Sequence, residues 1–426
     1  MNFKLVYYLT SFLFPKTEEK KALEQTCLKL QAERDVLKSR KIYKKTVQRL
    51  RNKKEKIRVG FILSENSKWG YQSLYDLFAN SEHYEPVVLI TLLTSVHKGV
   101  DTTRYNSQEN YDFFKSRDMN VEYLYQDGKY KNLKDFKLDI VFYDQPWDLP
   151  EKYRPSALYK YALPCFCSYS YEVLHDTDNY FTNFHAFLFR YFIEHEINYK
   201  RYKKYNKFAE DNCVVAGYPK LDVYLDKNDS ECSVWKDKNK FKIIYAPHHS
   251  FDNALKLSTF IENHNDILEL AKNNPDTTWI FKPHPRLKFA LMKMKVMSEE
   301  EIDNYYKEWE KVGKVYTQGD YFDIFKTSDL MITDCCSFLA EYLPTEKPLI
   351  RLINNKAQPL NFLGDKIVSQ YYYAHNKQDL EIIFEQLKNG NDYKKEERIK
   401  LIPDIVDPTT PAAVKIFNYF EELLYS

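Results

Sequence analysis

At 426 residues the chain is too long for one ordinary core, and the length predicts two or three domains. With 44% hydrophobic and 29% charged residues it has the composition of a folded globular protein, which excludes a disordered chain. A net charge of +2 provides no strongly basic surface for coating a polyanion, so nucleic acid is not an expected partner.

The opening stretch MNFKLVYYLTSFLF is apolar and aromatic for 14 residues. That is too short to span a bilayer, which takes about 20 apolar residues. It also lacks the small-residue cleavage site of a secretory leader. Residues 16–56 then read as one long helix, whose second half, KSRKIYKKTVQRLRNKKEK, is basic. A basic helix beside an aromatic anchor suits an anionic membrane surface, and a solvated helix packed on its own domain is the plainer alternative. The expected extension is residues 1–56, and the expected location is cytoplasmic, peripheral on the inner face of the cell membrane.

From residue 57 the pattern becomes short apolar runs alternating with helical stretches. IRVGFILS (57–64), PVVLITLL (86–93), VEYLYQ (121–126) and LDIVFYDQP (138–146) are predicted strands, and NCVVAGYPKLDVYL (212–225) reads as the last strand of this unit. The polar segment 226–240 reads as a linker. The alternation then restarts with FKIIYAPHH (241–249), TTWIFKPHP (277–285), KVYTQ (314–318), LMITDCCS (330–337) and KPLIRLIN (347–354). Predicted helices lie at 264–274, 299–312, 321–327 and 338–343, and an amphipathic one closes the chain at 412–425. Strands alternating with helices imply parallel sheets covered on both faces. The expected division is an N-terminal domain 57–225 and a C-terminal domain 226–426, with the last helix free to pack back on the first domain. The seven cysteines form no CxxC pair, so reduced thiols without zinc are expected.

In such sheets ligands bind beyond the carboxyl ends of the strands. Three strand ends of the second unit carry chemistry. After YAP come His248 and His249; alternation along a strand turns them to opposite faces, so one at most is expected in a shared cleft unless the backbone turns. In IFKPHPR the prolines stiffen the backbone around His284, a candidate acid, base or donor, and Lys282 and Arg286 suit phosphate oxygens. In LMITDCCSFLAEYL a strand ends at Thr333-Asp334 and a helix begins near Cys336 or Ser337. Its unpaired first amides suit a diphosphate, Ser337 can donate, and Glu341, one turn later, can accept from ribose hydroxyls. A plain strand–helix junction capped by Asp334 is the alternative, with Cys335 and Cys336 as small packing residues.

YAPHHS, FKPHPR and SDLMITDCCSFLAEYLPTEKPLI, in this order, together with VVAGYPKLD (214–222), resemble the CDP-glycerol glycerophosphotransferase family over about residues 210–375. The resemblance implies a GT-B-like α/β fold, two Rossmann-type domains facing a cleft, with the nucleotide on the C-terminal domain. It implies transfer of a glycerol-phosphate unit from a CDP-activated donor to a hydroxyl of a cell-surface glycan or lipid-linked polymer of teichoic-acid or capsule type, releasing CMP. His284 matches the family's His-Pro histidine, and Asp334 and Ser337 its threonine-aspartate turn, where Cys335 and Cys336 replace tyrosine and serine. His248 is the second catalytic candidate. Lys282, Arg286, Thr333, Asp334, Cys336, Ser337 and Glu341 form the expected donor site, with no cofactor or metal. The family's tryptophan-histidine-glycine motif has no counterpart in FYDQPWD or PCFCSYSYEVLHD, so the first-domain catalytic residue stays unassigned, with His175 and His185 nearby. A nucleotide-sugar glycosyltransferase and a non-catalytic nucleotide-binding or membrane-tethering partner are the alternatives.

Overall fold

A computed structural model describes residues 18–92, 96–97, 100–101, 107–175, 183–225, 233–251, 255–317 and 321–426. The aromatic opening stretch and residues 226–232 of the expected linker lie outside the described residues.

Helix α1 (Glu18–Arg51) is a single 34-residue element. Val36, Ser39, Tyr43, Thr46 and Leu50 are buried along one stripe, spaced alternately three and four apart, as a helix lying on a surface requires. That stripe docks on the first domain, where the Tyr43 hydroxyl donates to the Phe187 carbonyl. Lys38, Lys41, Lys44, Lys45 and Arg49 are exposed, as are Leu30 and Leu37.

The first sheet contains β1 (Ile57–Leu63), β2 (Tyr84–Ile90), β3 (Val121–Tyr123), β4 (Ile140–Tyr143), β5 (Leu163–Cys167), β6 (Arg190–Ile193) and β7 (Cys213–Val215). All pairs are parallel, in the order β3-β2-β1-β4-β5-β6-β7. The second sheet contains β8 (Phe241–Ala246), β9 (Thr277–Phe281), β10 (Gly313–Val315), β11 (Leu330–Thr333), β12 (Leu349–Leu352) and β13 (Tyr372–Ala374). It is also all parallel, in the order β10-β9-β8-β11-β12-β13. Both sheets follow the doubly wound strand order, and each reverses direction beside its first strand. The two-domain α/β architecture expected from the alternation is present.

Three strands go beyond the predicted set. β5 carries Pro164 between two other strands, a position where proline argues against a strand, and β6 and β13 span only 4 and 3 residues. VEYLYQ, predicted as one strand, breaks after Tyr123 into a hairpin, Tyr125–Gln126 with Lys129–Tyr130. Its turn is Asp127-Gly128, with φ of 52° and 75°, the left-handed pair that closes two-residue hairpins.

The last helix, α2 (Ala412–Tyr425), crosses back to the first domain, where Ile416, Phe420 and Leu424 join Leu74, Phe78 and Phe142 in one core. The Asp222 carboxylate accepts from the Ala412 and Ala413 amides, both at 2.8 Å, and so caps this helix from the other half of the chain. Gly217 has φ of +95°, and a Cβ there would meet Ala412 Cβ at 3.0 Å, so both backbone and contact require glycine. No described helix is long and apolar enough to cross a membrane.

Candidate active site

The second sheet reverses between β8 and β11, so the loops leaving these two strands open on the crevice where such folds hold ligands. Asp334, just past β11, ties the two loops together. Its carboxylate accepts from the His248 amide (2.5 Å), the Thr259 amide (2.6 Å) and the Thr259 hydroxyl (2.9 Å). Burial pushes its pKa up to about 6 against the pull of these donors. Thr333 adds a second tie, donating to the Ala246 carbonyl at 2.6 Å and accepting from the Cys335 amide at 2.9 Å.

Strand alternation ends at Ala246, because the chain leaves the sheet at Pro247 and Asp334 draws in the next amide. His248 and His249 therefore do not diverge. Both pack against His284, with ring centroids 5.0 Å and 4.0 Å from it, and 4.5 Å from each other. The expectation that only one of the pair faces the cleft is corrected in this way. The His284 amide donates to the Pro247 carbonyl at 3.0 Å, which fixes the proline-flanked segment to the same loop.

The tautomers follow from local hydrogen bonds. His284 Nδ1 accepts from the Arg286 amide at 3.1 Å, and His248 Nδ1 accepts from the Ser250 amide at 3.2 Å and lies 2.8 Å from the Ser250 hydroxyl. A nitrogen accepting from a backbone N–H holds its lone pair there, so the proton of each neutral ring sits on Nε2. Burial, with neighbouring imidazoles, holds both pKa values well below the ordinary histidine value, so both rings are neutral near pH 7. Three imidazoles with ring nitrogens within 4.8 Å of one another invite a metal. Ligation through Nε2 would require a protonated Nδ1, which would leave the Arg286 amide at His284 and the Ser250 amide at His248 without an acceptor. With Nδ1 accepting, His248 and His284 present Nε2 as a donor.

The cleft has a volume of about 200 Å³ and lies between the halves of the chain. His248, His249, His284, Cys335, Cys336 and Ser337 line one side; Trp147, Ser168, Tyr169, Ser170 and Glu172 line the other. Four expected residues, His248, His284, Cys336 and Ser337, meet here. The others stand behind. Lys282 lies over the rings of Tyr321 and Phe338, at 4.9 and 5.7 Å. Arg286 is half-buried at the start of Leu287–Lys293. Thr333 and Asp334 are spent on the loop ties. Glu341 is 1% exposed, accepts from the Tyr321 and Tyr218 hydroxyls at 2.5 and 3.3 Å, and pairs with Lys220 at 3.8 Å. It joins the two domains and is not placed to meet a ribose. The helix after β11, Cys336–Glu341, has six residues, so its second turn already runs into the core and carries Glu341 with it.

Residues 168–174, which follow β5, were not assigned a role from sequence, and neither were His249 and Arg351. Arg351 on β12 is half-buried, its pKa lowered by burial and held up by neighbours that include Cys336 and Asp334. An arginine inside an apolar strand run was the available signal. His185 lines the cleft from the first domain, fully buried with its pKa lowered to about 3 by burial, and His175 is exposed and not among the lining residues.

Residues 191–358 match the family model described as CDP-Glycerol:Poly(glycerophosphate) glycerophosphotransferase. This covers nearly the stretch in which the sequence resemblance was found. Among solved structures, a variant of the wall teichoic acid polymerase TagF superposes with a TM-score of 0.56 at 13% identity, covering 95% of this chain and 97% of that one. The S. aureus MnaA–UDP structure gives a TM-score of 0.56 at 14% identity, covering 86% and 97%. The Neisseria meningitidis UDP-GlcNAc 2-epimerase bound to UDP-GlcNAc gives 0.54 at 12%, covering 86% and 99%. At these identities the likeness establishes the GT-B-like fold. No curated protein matches the sequence.

Proposed function

We propose that this chain, matched over residues 191–358 by the glycerophosphotransferase family, transfers an alcohol-phosphate unit from a CDP-activated donor to an acceptor hydroxyl and releases CMP. CDP-glycerol is the donor the family description favours. The observation that carries the reading is the pair of neutral imidazoles presenting Nε2–H at the switch point, inside the matched segment.

In phosphoryl transfer the protein's work is positioning and charge stabilisation. The Nε2–H groups of His248 and His284 donate to the non-bridging oxygens of the β-phosphate. They need no reorganisation, because Ser250 and Arg286 already fix their tautomers. Ser337 donates from the turn after β11 on the same side of the cleft, and Arg351, Lys282 and Arg286 supply positive charge from behind. The acceptor oxygen attacks the β-phosphorus, the bond to the bridging oxygen breaks, and CMP leaves with that electron pair. The acceptor enters from the Trp147 and Tyr169 side.

The acceptor is a glycan or lipid-linked polymer, a reading supported by the likeness to the wall teichoic acid polymerase TagF. The exposed lysines of α1 with Leu30 and Leu37 support a reading in which the chain lies on an anionic membrane surface. Sedimentation with phosphatidylglycerol vesicles tests this, and binding unchanged by charge reversal at Lys38, Lys41, Lys44 and Lys45 contradicts it.

The deciding experiment incubates the purified chain with CDP-glycerol, and separately with UDP-GlcNAc, and measures nucleotide release. CMP release that falls about 10²–10³-fold in His284→Ala supports the reading. Release of UDP alone establishes a nucleotide-sugar enzyme instead. Cellular polymer synthesis left unchanged by His284→Ala favours a non-catalytic role.

A further inference from the structure

Resting on that reading, we infer that Glu172 is the base that takes the proton from the acceptor hydroxyl. The phosphotransfer needs such a group, and the neutral imidazoles of His248 and His284 cannot provide it: their Nδ1 lone pairs face the backbone and their Nε2 atoms already carry hydrogen. Among the described residues lining the cleft, Glu172 is the one carboxylate.

Its placement is built. The Glu172 amide donates to Glu194 Oε1 at 3.3 Å. The Glu172 carbonyl accepts from Asn198 Nδ2 and from Asn361 Nδ2, both at 3.0 Å. Glu194 is itself buried and held by Asn198 at 2.6 Å and Ser168 at 3.2 Å. Asn361 comes from the second domain, its amide donates to the Val173 carbonyl, and Leu174 bridges Leu360. A Cβ on Gly364 would lie 2.3 Å from that Val173 carbonyl, so the close approach depends on glycine. Both ends of the Glu172 peptide are thus clamped, from two domains, while its side chain turns to the cleft and accepts from Ser170 at 3.2 Å. The half-buried Cys336 thiol across the cleft has its pKa raised by burial, then by Cys335 and this carboxylate, which sets Glu172 opposite the turn after β11.

In the transfer, the acceptor oxygen forms the new bond to the β-phosphorus and its proton passes to a Glu172 oxygen. The bond to the bridging oxygen breaks with its electron pair going to CMP, and Glu172 returns its proton to water. Glu172 lies outside residues 191–358, on the first-domain side of the cleft.

The test uses the full chain with CDP-glycerol as donor and a synthetic glycerol-phosphate trimer as acceptor. Glu172→Gln and Glu172→Ala are expected to lose about 10²–10⁴-fold in kcat while binding CDP-glycerol within about threefold of wild type. Formate is expected to restore turnover in Glu172→Ala and not in Glu172→Gln, a response a merely structural residue does not give. Turnover of Glu172→Gln within tenfold of wild type overturns the assignment. So does a loss matched by lost donor binding and unrelieved by formate, or the full loss appearing in His249→Gln instead. Wild-type protein that releases no CMP would sink the phosphotransfer reading itself, a result distinct from all of these.

Discussion

Replacing Asp334 by Asn sets two opposing effects against each other. The carboxylate is 6% exposed and receives three hydrogen bonds from His248 and Thr259. An amide keeps one oxygen, so its NH₂ must face either the His248 amide or the Thr259 pair, leaving a buried N–H unpaired at a cost of about 1–3 kcal/mol. Against this, the variant removes a buried charge. Burial pushes the Asp334 pKa up to about 6, and the displacement from 3.8 corresponds to about 3 kcal/mol. A folded pKa above the unfolded one contributes stability that is present below about pH 4 and lost as the pH rises through 6. The stability advantage of wild type over Asp334→Asn is therefore expected to shrink by about 2 kcal/mol between about pH 4.5 and 7.5. Urea unfolding followed by tryptophan fluorescence reads this, because Trp279 and Trp309 sit in the core of the second domain. At pH 7.5 the variant should unfold within about 2 kcal/mol of wild type. It should nonetheless lose turnover, because the loop carrying His248 and Thr259 loses part of its tie to the turn after β11. An advantage that grows with pH would mean that the three donors outweigh burial, and would refute this reasoning.

Glu341→Gln, which leaves Lys220 without its buried partner charge, is expected to cost about 3–5 kcal/mol in unfolding while CDP-glycerol affinity by calorimetry stays within a few fold. A selective loss of nucleotide binding would return Glu341 to the ribose. Gly217→Ala forces a left-handed φ on alanine and pushes against Ala412; faster proteolytic release of the C-terminal helix is expected, and an unchanged rate would contradict the packing. Because His248 and His284 are held neutral, the affinity for CDP-glycerol is expected to stay flat from about pH 6 to 8. A tenfold fall across that window would mean that an imidazolium binds the donor.

The two sheets were legible because buried parallel strands write continuous apolar runs such as IRVGFIL and FKIIYA. β5 was not, because Pro164 sits inside it, and β13 spans three residues, too few for a periodicity to show. In the site, the motifs pointed to the loops after β8, β9 and β11, which the fold brings to one cleft. They did not say which side chains face the cleft. Asp334 and Thr333 carry the residue types of a ligand site, and the fold uses both as ties between strands. The convergence of His248 and His249 depends on a backbone turn made by a hydrogen bond 86 residues away in sequence. The clamp on Glu172 needs Asn361, 189 residues downstream, and nothing local in SYSYEV announces it.

The most direct measurement is a structure of the chain in complex with CDP-glycerol. The expected result is the β-phosphate within about 2.7–3.2 Å of Nε2 of His248 and His284, with the first-domain carboxylate on the side away from the departing CMP. A diphosphate bound elsewhere, or one approached by the Nδ1 atoms of those rings, would contradict the account.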